Sequence, residues 1–199
     1  MDETALINQA QKGDVPAFNR LVIHYQEAVY NVAYRIMGQP QAAEDMTQDA
    51  FISAYKSLNR FRGGSFKSWL LRIVTNRCYD ELRLRKRRPQ TSLEEITDKN
   101  ESPAFLRSSE AGPEGQQQRV ELAQAIEDCL AGLPDDQRIT AVLCDVEGYD
   151  YNEIAQITAS TLGTVKSRIS RARGKLRDCL QGIAELLPAA YRLGSEGTA

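Results

Sequence analysis

Asp150 to Leu176 reads DYNEIAQITASTLGTVKSRISRARGKL, and its order of a short helix, a tight break and a cation-studded second helix decides how the rest of the chain is read. Asp150 followed by Glu153 predicts a capping box, because a short carboxylate accepts the orphan amide hydrogens of a first turn while the glutamate reaches back. Ile154, Ala155 and Ile157 supply the buried side of that first helix. Thr158, Ala159 and Ser160 interrupt it. Ser160 is the expected cap of a second helix, whose Leu162, Val165, Ile169, Ala172 and Leu176 recur at steps of three and four residues. At about 100° per residue these apolar positions share one stripe. The opposite side carries Ser167, Ser170, Arg171 and Gly174, flanked by Lys166, Arg173 and Arg177. Such a face fits a major groove, with small donors and an arginine toward base edges and the remaining cations toward phosphates.

The net charge of −2 hides a partition that supports the same partner. Residues 60–90 carry ten Lys/Arg against two Asp/Glu, and residues 160–178 carry six against one, giving local balances of +8 and +5 against −15 everywhere else. Two basic patches on an acidic body suit a protein that touches phosphates at two places and repels them elsewhere. With 42% apolar and 26% charged residues the 199-residue chain has an ordinary globular balance, enough for one or two domains with small cores. No apolar run approaches the length of a membrane span, and the N-terminal MDETALINQAQKGD is polar rather than signal-like, so a cytoplasmic protein without membrane insertion is expected. Cys78, Cys129, Cys144 and Cys179 stand far apart, with no C-x-x-C pair, and His24 is the lone histidine. That pattern suggests neither a zinc site nor a disulfide framework, so the four cysteines are read as reduced and mostly buried. His24 is read as a partly buried structural residue beside Tyr25. No metal or other cofactor is expected.

Working outward, the patterning predicts an all-α chain. Helical periodicity begins near Thr4. It resumes at Pro16, a residue suited to a first turn, and runs through Leu21, Val22, Tyr25, Val29 and Val32 to Met37, stopping at Gly38-Gln39-Pro40. A second long helix covers about 41–58. A third follows the Gly63-Gly64-Ser65 turn, burying Phe66, Trp69, Leu70 and Ile73 on one side before it dissolves into Arg85, Lys86, Arg87, Arg88 and Pro89. Between 89 and 118 lie three prolines, two glycines and six acids against two bases, without periodicity, which reads as a flexible acidic linker. Helical pattern returns at Arg119–Leu130 and restarts after Leu133-Pro134 as far as Val146. The expected division is an N-terminal helical domain over 1–88, the linker over 89–118, a C-terminal domain containing the helix-turn-helix over 119–182, and a tail over 183–199.

Three strings extend the functional reading. In FKSWLLRIVTNRCYDELRLRKRR, Arg72, Asn76, Arg77, Asp80 and Arg83 project away from the apolar side, and aromatics mixed with cations and an amide describe a surface for unpaired bases. On the second long helix, Asp45, Gln48, Asp49 and Ile52 fall on one face. Paired carboxylates there raise the question of catalysis, but no histidine, pocket signature or glycine-rich phosphate loop accompanies them. The chain is therefore not expected to be an enzyme.

Phe66-x-x-Trp69-Leu70-x-Arg72-Ile73-x-x-Asn76-x-x-x-Asp80 is preceded by Ala43-Glu44-Asp45-Met46-x-Gln48-Asp49-x-Phe51 and followed by Leu133-Pro134, Glu147-Gly148, Glu153-Ile154-Ala155 and GTVKSRISRAR. Together these resemble the extracytoplasmic-function group of bacterial sigma factors, over nearly all of residues 10–180. That family has two helical domains joined by a linker; it binds core RNA polymerase and directs it to promoters, and its members are commonly restrained by an anti-sigma protein. The resemblance implies that Asn76 and the loop from Phe61 to Ser65 hold a flipped base of the melted minus-ten element, with Arg62, Arg77 and Arg83 on its backbone. It implies that Lys166, Ser167, Ser170 and Arg171 read the minus-35 duplex while Arg168 and Arg173 face phosphates; Ser170 departs from the bulkier residue often found there. It further implies that Asp45, Gln48, Asp49 and Ile52 dock on a coiled coil of the largest polymerase subunit, and that the acidic linker runs through the polymerase's nucleic-acid channel. Two rivals make different demands. An autonomous helix-turn-helix regulator needs a dimer interface, and no dimerisation helix is evident outside the assigned domains; a DNA-processing enzyme needs a nucleophile or metal-binding carboxylates, and loss of DNA cleavage on replacing Asp45 or Asp49 by alanine would support it.

Overall fold

A computed structural model describes residues 2–87 and 113–187, and every regular element among them is helical, in keeping with the all-α expectation. The helices fall into two compact units. The first contains α1 (Glu3–Gln11), α2 (Val15–Met37), α3 (Pro40–Ser57) and α4 (Phe66–Arg87), with a 3₁₀ turn at Leu58–Arg60. The second contains α5 (Pro113–Ala131), α6 (Asp135–Ala141), a π turn at Val142–Val146, α7 (Tyr151–Ile157) and α8 (Leu162–Gly182).

Local chemistry sets the boundaries in the first unit. Asp2 accepts from the Ala5 amide and Asp14 from the Ala17 amide, each satisfying an orphan donor of a first turn. Pro16 sits in the first turn of α2, where its missing N–H costs nothing. The helix ends at Gly38, whose φ of 72° is open to glycine without a Cβ clash and whose amide returns to the Tyr34 carbonyl. α2 is the central rod. It packs against α1, α3 and α4, and its Leu21, Val29, Val32 and Ile36 are wholly buried.

α4 buries Phe66, Leu70, Leu71, Val74, Cys78 and Leu82, leaving Trp69 and Ile73 half-buried. The sequence reading put Trp69 and Ile73 on the buried side with Phe66 and Leu70; the structure keeps Phe66 and Leu70 there and leaves Trp69 and Ile73 at its edge. The steps of four from Phe66 to Leu70, Val74 and Cys78 define the face that meets α2 and α3, and the Trp69 ring flanks it, leaning on Phe61 and Phe66. His24 corrects the sequence reading as well: it is exposed, edge-on to the Tyr25 ring at 4.6 Å, because Leu21 and Tyr25 take the inward positions of that turn.

In the second unit α6 and α7 both pack on α8. Arg138 is buried and crosses the start of α6, where it donates to the Asp135 carboxylate and the Ala131 carbonyl. α5 starts at Pro113 rather than Arg119, so the last residues of the expected 89–118 linker are helical; proline and a following acid suit a first turn. Residues 89–112 of that linker and 188–199 of the expected tail lie outside the described residues. The cysteines require the largest correction. Cys129 and Cys179 form a disulfide joining α5 to α8, with their Cα atoms 5.8 Å apart across a separation of 50 residues, while buried Cys78 and half-buried Cys144 are not disulfide-bonded. Helix packing creates that proximity, and nothing in the linear spacing announces it.

Candidate functional site

The capping box predicted at the start of α7 is present: the Asp150 carboxylate accepts from the amides of Asn152 and Glu153, and Glu153 accepts from the Asp150 amide. α7 then stops at Ile157. The chain turns through Ala159, whose φ of 48° lies in the left-handed region, and α8 is capped by Thr161 rather than Ser160, with its hydroxyl accepting from the Thr164 amide. Ser160 instead shares a hydrogen bond with the Thr158 hydroxyl, inside the turn. Two helices joined by this tight turn make a helix-turn-helix.

Val165, Ile169 and Ala172 are the buried residues of α8; Leu162 is exposed and Leu176 half-buried at the two ends of the expected stripe. Lys166, Ser167, Ser170 and Arg171 are all exposed on the other side. Among the described residues, the side chains of Lys166, Ser170 and Arg171 make no hydrogen bond or ion pair, and Ser167 donates to the Thr164 carbonyl. Arg168 and Arg173 differ. The Arg168 guanidinium lies 2.8 Å from the Asp136 carboxylate on α6 and is only 19% exposed. Arg173 is paired with Asp145, which together with the Arg–carboxylate hydrogen bonds raises its already high pKa. Asp145 and Arg173 also border Cys144, whose thiol is pushed up by burial first and Asp145 next, against an opposing pull from Arg173. Arg168 and Arg173 are thus each engaged by an internal carboxylate, Arg173 keeping about half of its side chain exposed. The two aspartates carry no sequence signal for this role, since each is far from its arginine along the chain.

In the first unit Asp45, Gln48, Asp49 and Ile52 are exposed along one face of α3, separated by steps of three and four, while Met46, Ala50 and Phe51 point into the core. Ile52 is 45% exposed and the neighbouring Tyr55 40%, so the acidic residues rim an apolar contact. The loop between the 3₁₀ turn and α4 borders an open cleft of about 390 Å³. Phe61, Arg62, Gly63 and Gly64 form one wall, and Glu3, Thr4, Ile7, Asn8 and Gln11 of α1 form the other. Phe61 is held by Phe66 and Trp69, each with its ring centre 5.4 Å away. Gln11 braces the loop by donating both amide hydrogens, to the Leu58 and Phe61 carbonyls at 3.0 and 3.1 Å.

The other residues singled out for the melted strand lie outside this cleft. Ser65 is turned toward α4, where its hydroxyl accepts from the Ser68 amide. Asn76 is exposed on α4, ten residues beyond Phe66 and hence about 15 Å farther along the helix axis. Arg77 donates to the Ser53 hydroxyl on α3, and Arg83 stands over the Tyr79 ring at 5.6 Å. The structure thus separates Asn76 from the loop that the sequence reading grouped with it, and it adds α1, whose polar face gave no sign of a role.

The chain matches the Sigma-70 region 2 family over residues 21–88 and the Sigma-70 region 4 family over residues 123–176. It is 38% identical to the ECF RNA polymerase sigma factor SigE of Mycolicibacterium smegmatis, over 83% of this chain and 62% of that protein, so it spans under two thirds of that relative's length. It is 36% identical to the ECF RNA polymerase sigma-E factor of Escherichia coli, over 91% of this chain and 95% of that protein. Among solved structures, CnrH in complex with the cytosolic domain of CnrY is similar with a TM-score of 0.58 and 27% identity, covering 92% of this chain and 99% of that one.

Proposed function

The chain belongs to the extracytoplasmic-function sigma factors of RNA polymerase, and from that premise we propose how its residues bind core polymerase, recognise the promoter, open it and start transcription. α8 enters the major groove of the minus-35 duplex, where Lys166, Ser167, Ser170 and Arg171 meet base edges. Arg168 and Arg173 face phosphates. The loop 61–65 takes an unpaired base of the minus-ten element, with Arg62 on the strand's backbone, and Asn76, Arg77 and Arg83 engage neighbouring nucleotides along α4. The α3 face of Asp45, Gln48, Asp49 and Ile52 docks on the polymerase. We place the division into domains at 1–88 and 119–182, with a linker between them and a tail after.

The observation that carries this reading is the exposed side of α8: beside a buried Val165, Ile169 and Ala172, it leaves two cations and two serines free of internal ion pairs. A merely solvated helix would not need six cations against the single acid Asp178, with Lys166 and Arg171 set opposite its core. The protein works in the cytoplasm as an initiation factor, without catalysis or cofactor of its own. No helix among the described residues is long and apolar enough to cross a membrane. An anti-sigma protein is its expected restraint. Run-off transcription with core polymerase, with and without this protein, tests the whole proposal: start sites that arise only in its presence are expected, and their absence on a genomic promoter library overturns it.

A further inference from the structure

Resting on the reading of Arg173 as a phosphate contact of α8, we infer that Asp145 is a positioning residue for minus-35 recognition: it grips the Arg173 guanidinium along one side and presents its Nη1 end to a phosphate of the DNA backbone. Lys166, Ser170 and Arg173 follow one another on α8 at steps of four and three, so Arg173 lies along the border of the reading face. Its pairing is side-on. Nε donates to one carboxylate oxygen of Asp145 and Nη2 to the other, while Nη1 donates to no described residue. A guanidinium is a planar fork of five donors, so two bonds along the Nε–Nη2 side fix its plane and leave the Nη1 end for an anion.

The carboxylate itself stands on fixed backbone. Asp145 belongs to the π turn, where the Glu147 amide donates to the Val142 carbonyl five residues back and the Tyr149 amide donates to the Leu143 carbonyl. Val142 and Leu143 are wholly buried and Tyr149 nearly so, which anchors the chain on both sides of Asp145. Single π turns recur at functional sites. Fold stability does not account for the pair: Arg173 keeps 52% of its side chain exposed and Asp145 36%, and ion pairs so open to water contribute little to folding. Arg168, by contrast, is only 19% exposed where Asp136 holds it. An arginine left unheld on a helix border samples many rotamers, and ordering it on DNA costs entropy; a carboxylate that orders it beforehand removes much of that cost. The same carboxylate repels the phosphate. Charge and orientation therefore predict opposite signs for its removal.

The test uses the full chain bound to core polymerase and a promoter duplex, taken from a start site that run-off transcription identifies, in which one phosphate of the minus-35 element at a time is replaced by an uncharged methylphosphonate. For the wild type, neutralising the phosphate that Arg173 meets should weaken binding roughly three- to tenfold. Arg173→Ala should erase that penalty at that position alone. Asp145→Ala should erase most of it too, and should bind the unmodified duplex more weakly than the wild type even though a repelling charge has gone. Arg173→Lys keeps the charge but cannot form the two-point pair, so it should likewise lose most of the penalty, and it serves should Asp145→Ala fail to fold. A merely structural loss would weaken binding to every duplex and leave the position-specific penalty in place, which denies Asp145 a positioning role. Tighter binding of Asp145→Ala to the unmodified duplex makes Asp145 an opposing charge and denies it that role as well. If Arg173→Ala erases the penalty while Asp145→Ala and Arg173→Lys keep it whole, Arg173 meets a phosphate unaided: the reading of α8 stands and Asp145 has no part in it. If no position separates Arg173→Ala from the wild type, the phosphate contact itself fails and the role of Asp145 falls with it.

Discussion

The hydroxyl of Tyr25 donates to the Glu3 carboxylate, and burial, followed by that bond and the carboxylate's charge, pushes its pKa up to about 12 from 10.0. A folded-state value above the unfolded one favours the protonated phenol, so the associated stability is fully present below pH 10 and is lost as pH rises toward 12. Tyr25→Phe should remove that alkaline loss, and denaturant midpoints measured across the window for both proteins will show it. Arginines on α8 show how burial, rather than residue type, assigns a role. Arg171 is exposed and unpaired, so Arg171→Ala should leave folding unchanged and relax preference at one promoter position by about 1–3 kcal/mol if its guanidinium meets a base. Binding to a set of single-base promoter variants measures this; a uniform loss over the set would put Arg171 on the backbone instead. Arg168 is half-buried on Asp136, so Arg168→Ala should lower the melting temperature of the second unit before it changes any preference.

Helices were legible where one residue decides a boundary and illegible where two distant segments do. The Asp150–Glu153 capping box, the Gly38 stop and Pro16 in the first turn of α2 are local, and each stands where the sequence put it. The cap of α8 moved from Ser160 to Thr161 because both hydroxyls are competent and the turn's geometry chose; Ala159 at φ 48° brings Thr161, not Ser160, to the amide of Thr164. Trp69 and Ile73 fit the period of α4 as well as Leu71 and Val74 do, and only the position of α2 and α3 selects the buried set. Pairing of Arg168 with Asp136, of Arg173 with Asp145 and of Cys129 with Cys179 joins residues 28 to 50 positions apart, a relation that periodicity cannot carry. For the same reason α1 stayed out of the candidate site until its packing beside the loop was known. The disulfide makes a test at this scale. Closing a loop of 50 residues should contribute up to about 4 kcal/mol by restricting the unfolded chain, so reduction, or Cys129→Ser with Cys179→Ser, should lower the melting temperature of the second unit and leave the first unit's transition unmoved. Calorimetry with and without a thiol reductant reports both transitions.

Across the whole molecule the sign of charge sorts the surfaces by partner. Basic residues gather at 60–90 and 160–178, where nucleic acid is proposed to lie, and the remaining chain is strongly acidic. Much of this acidity is dispersed, but on α3 it is arranged: Asp45 and Asp49 stand one turn apart, Gln48 sits between them, and Ile52 continues the same face with nearly half of its surface exposed. Ile52 and Tyr55 leave apolar surface next to these carboxylates, and an acidic edge beside an apolar contact complements a basic partner surface. Asp49→Arg turns attraction into repulsion at that rim. It should abolish transcription by preventing assembly with core polymerase while leaving duplex recognition by α8 intact. The fold should survive, because position 49 is exposed on a helix and arginine is a good helix former, so the circular dichroism spectrum is expected to match the wild type. Three measurements on the full chain then separate the causes of any loss. Co-purification with core polymerase reports docking, binding to a minus-35 duplex reports α8, and the spectrum reports folding. Loss of the first with preservation of the other two places the polymerase contact on α3; normal co-purification at physiological salt removes that face from the interface, and the acidic rim would then be surface charge alone.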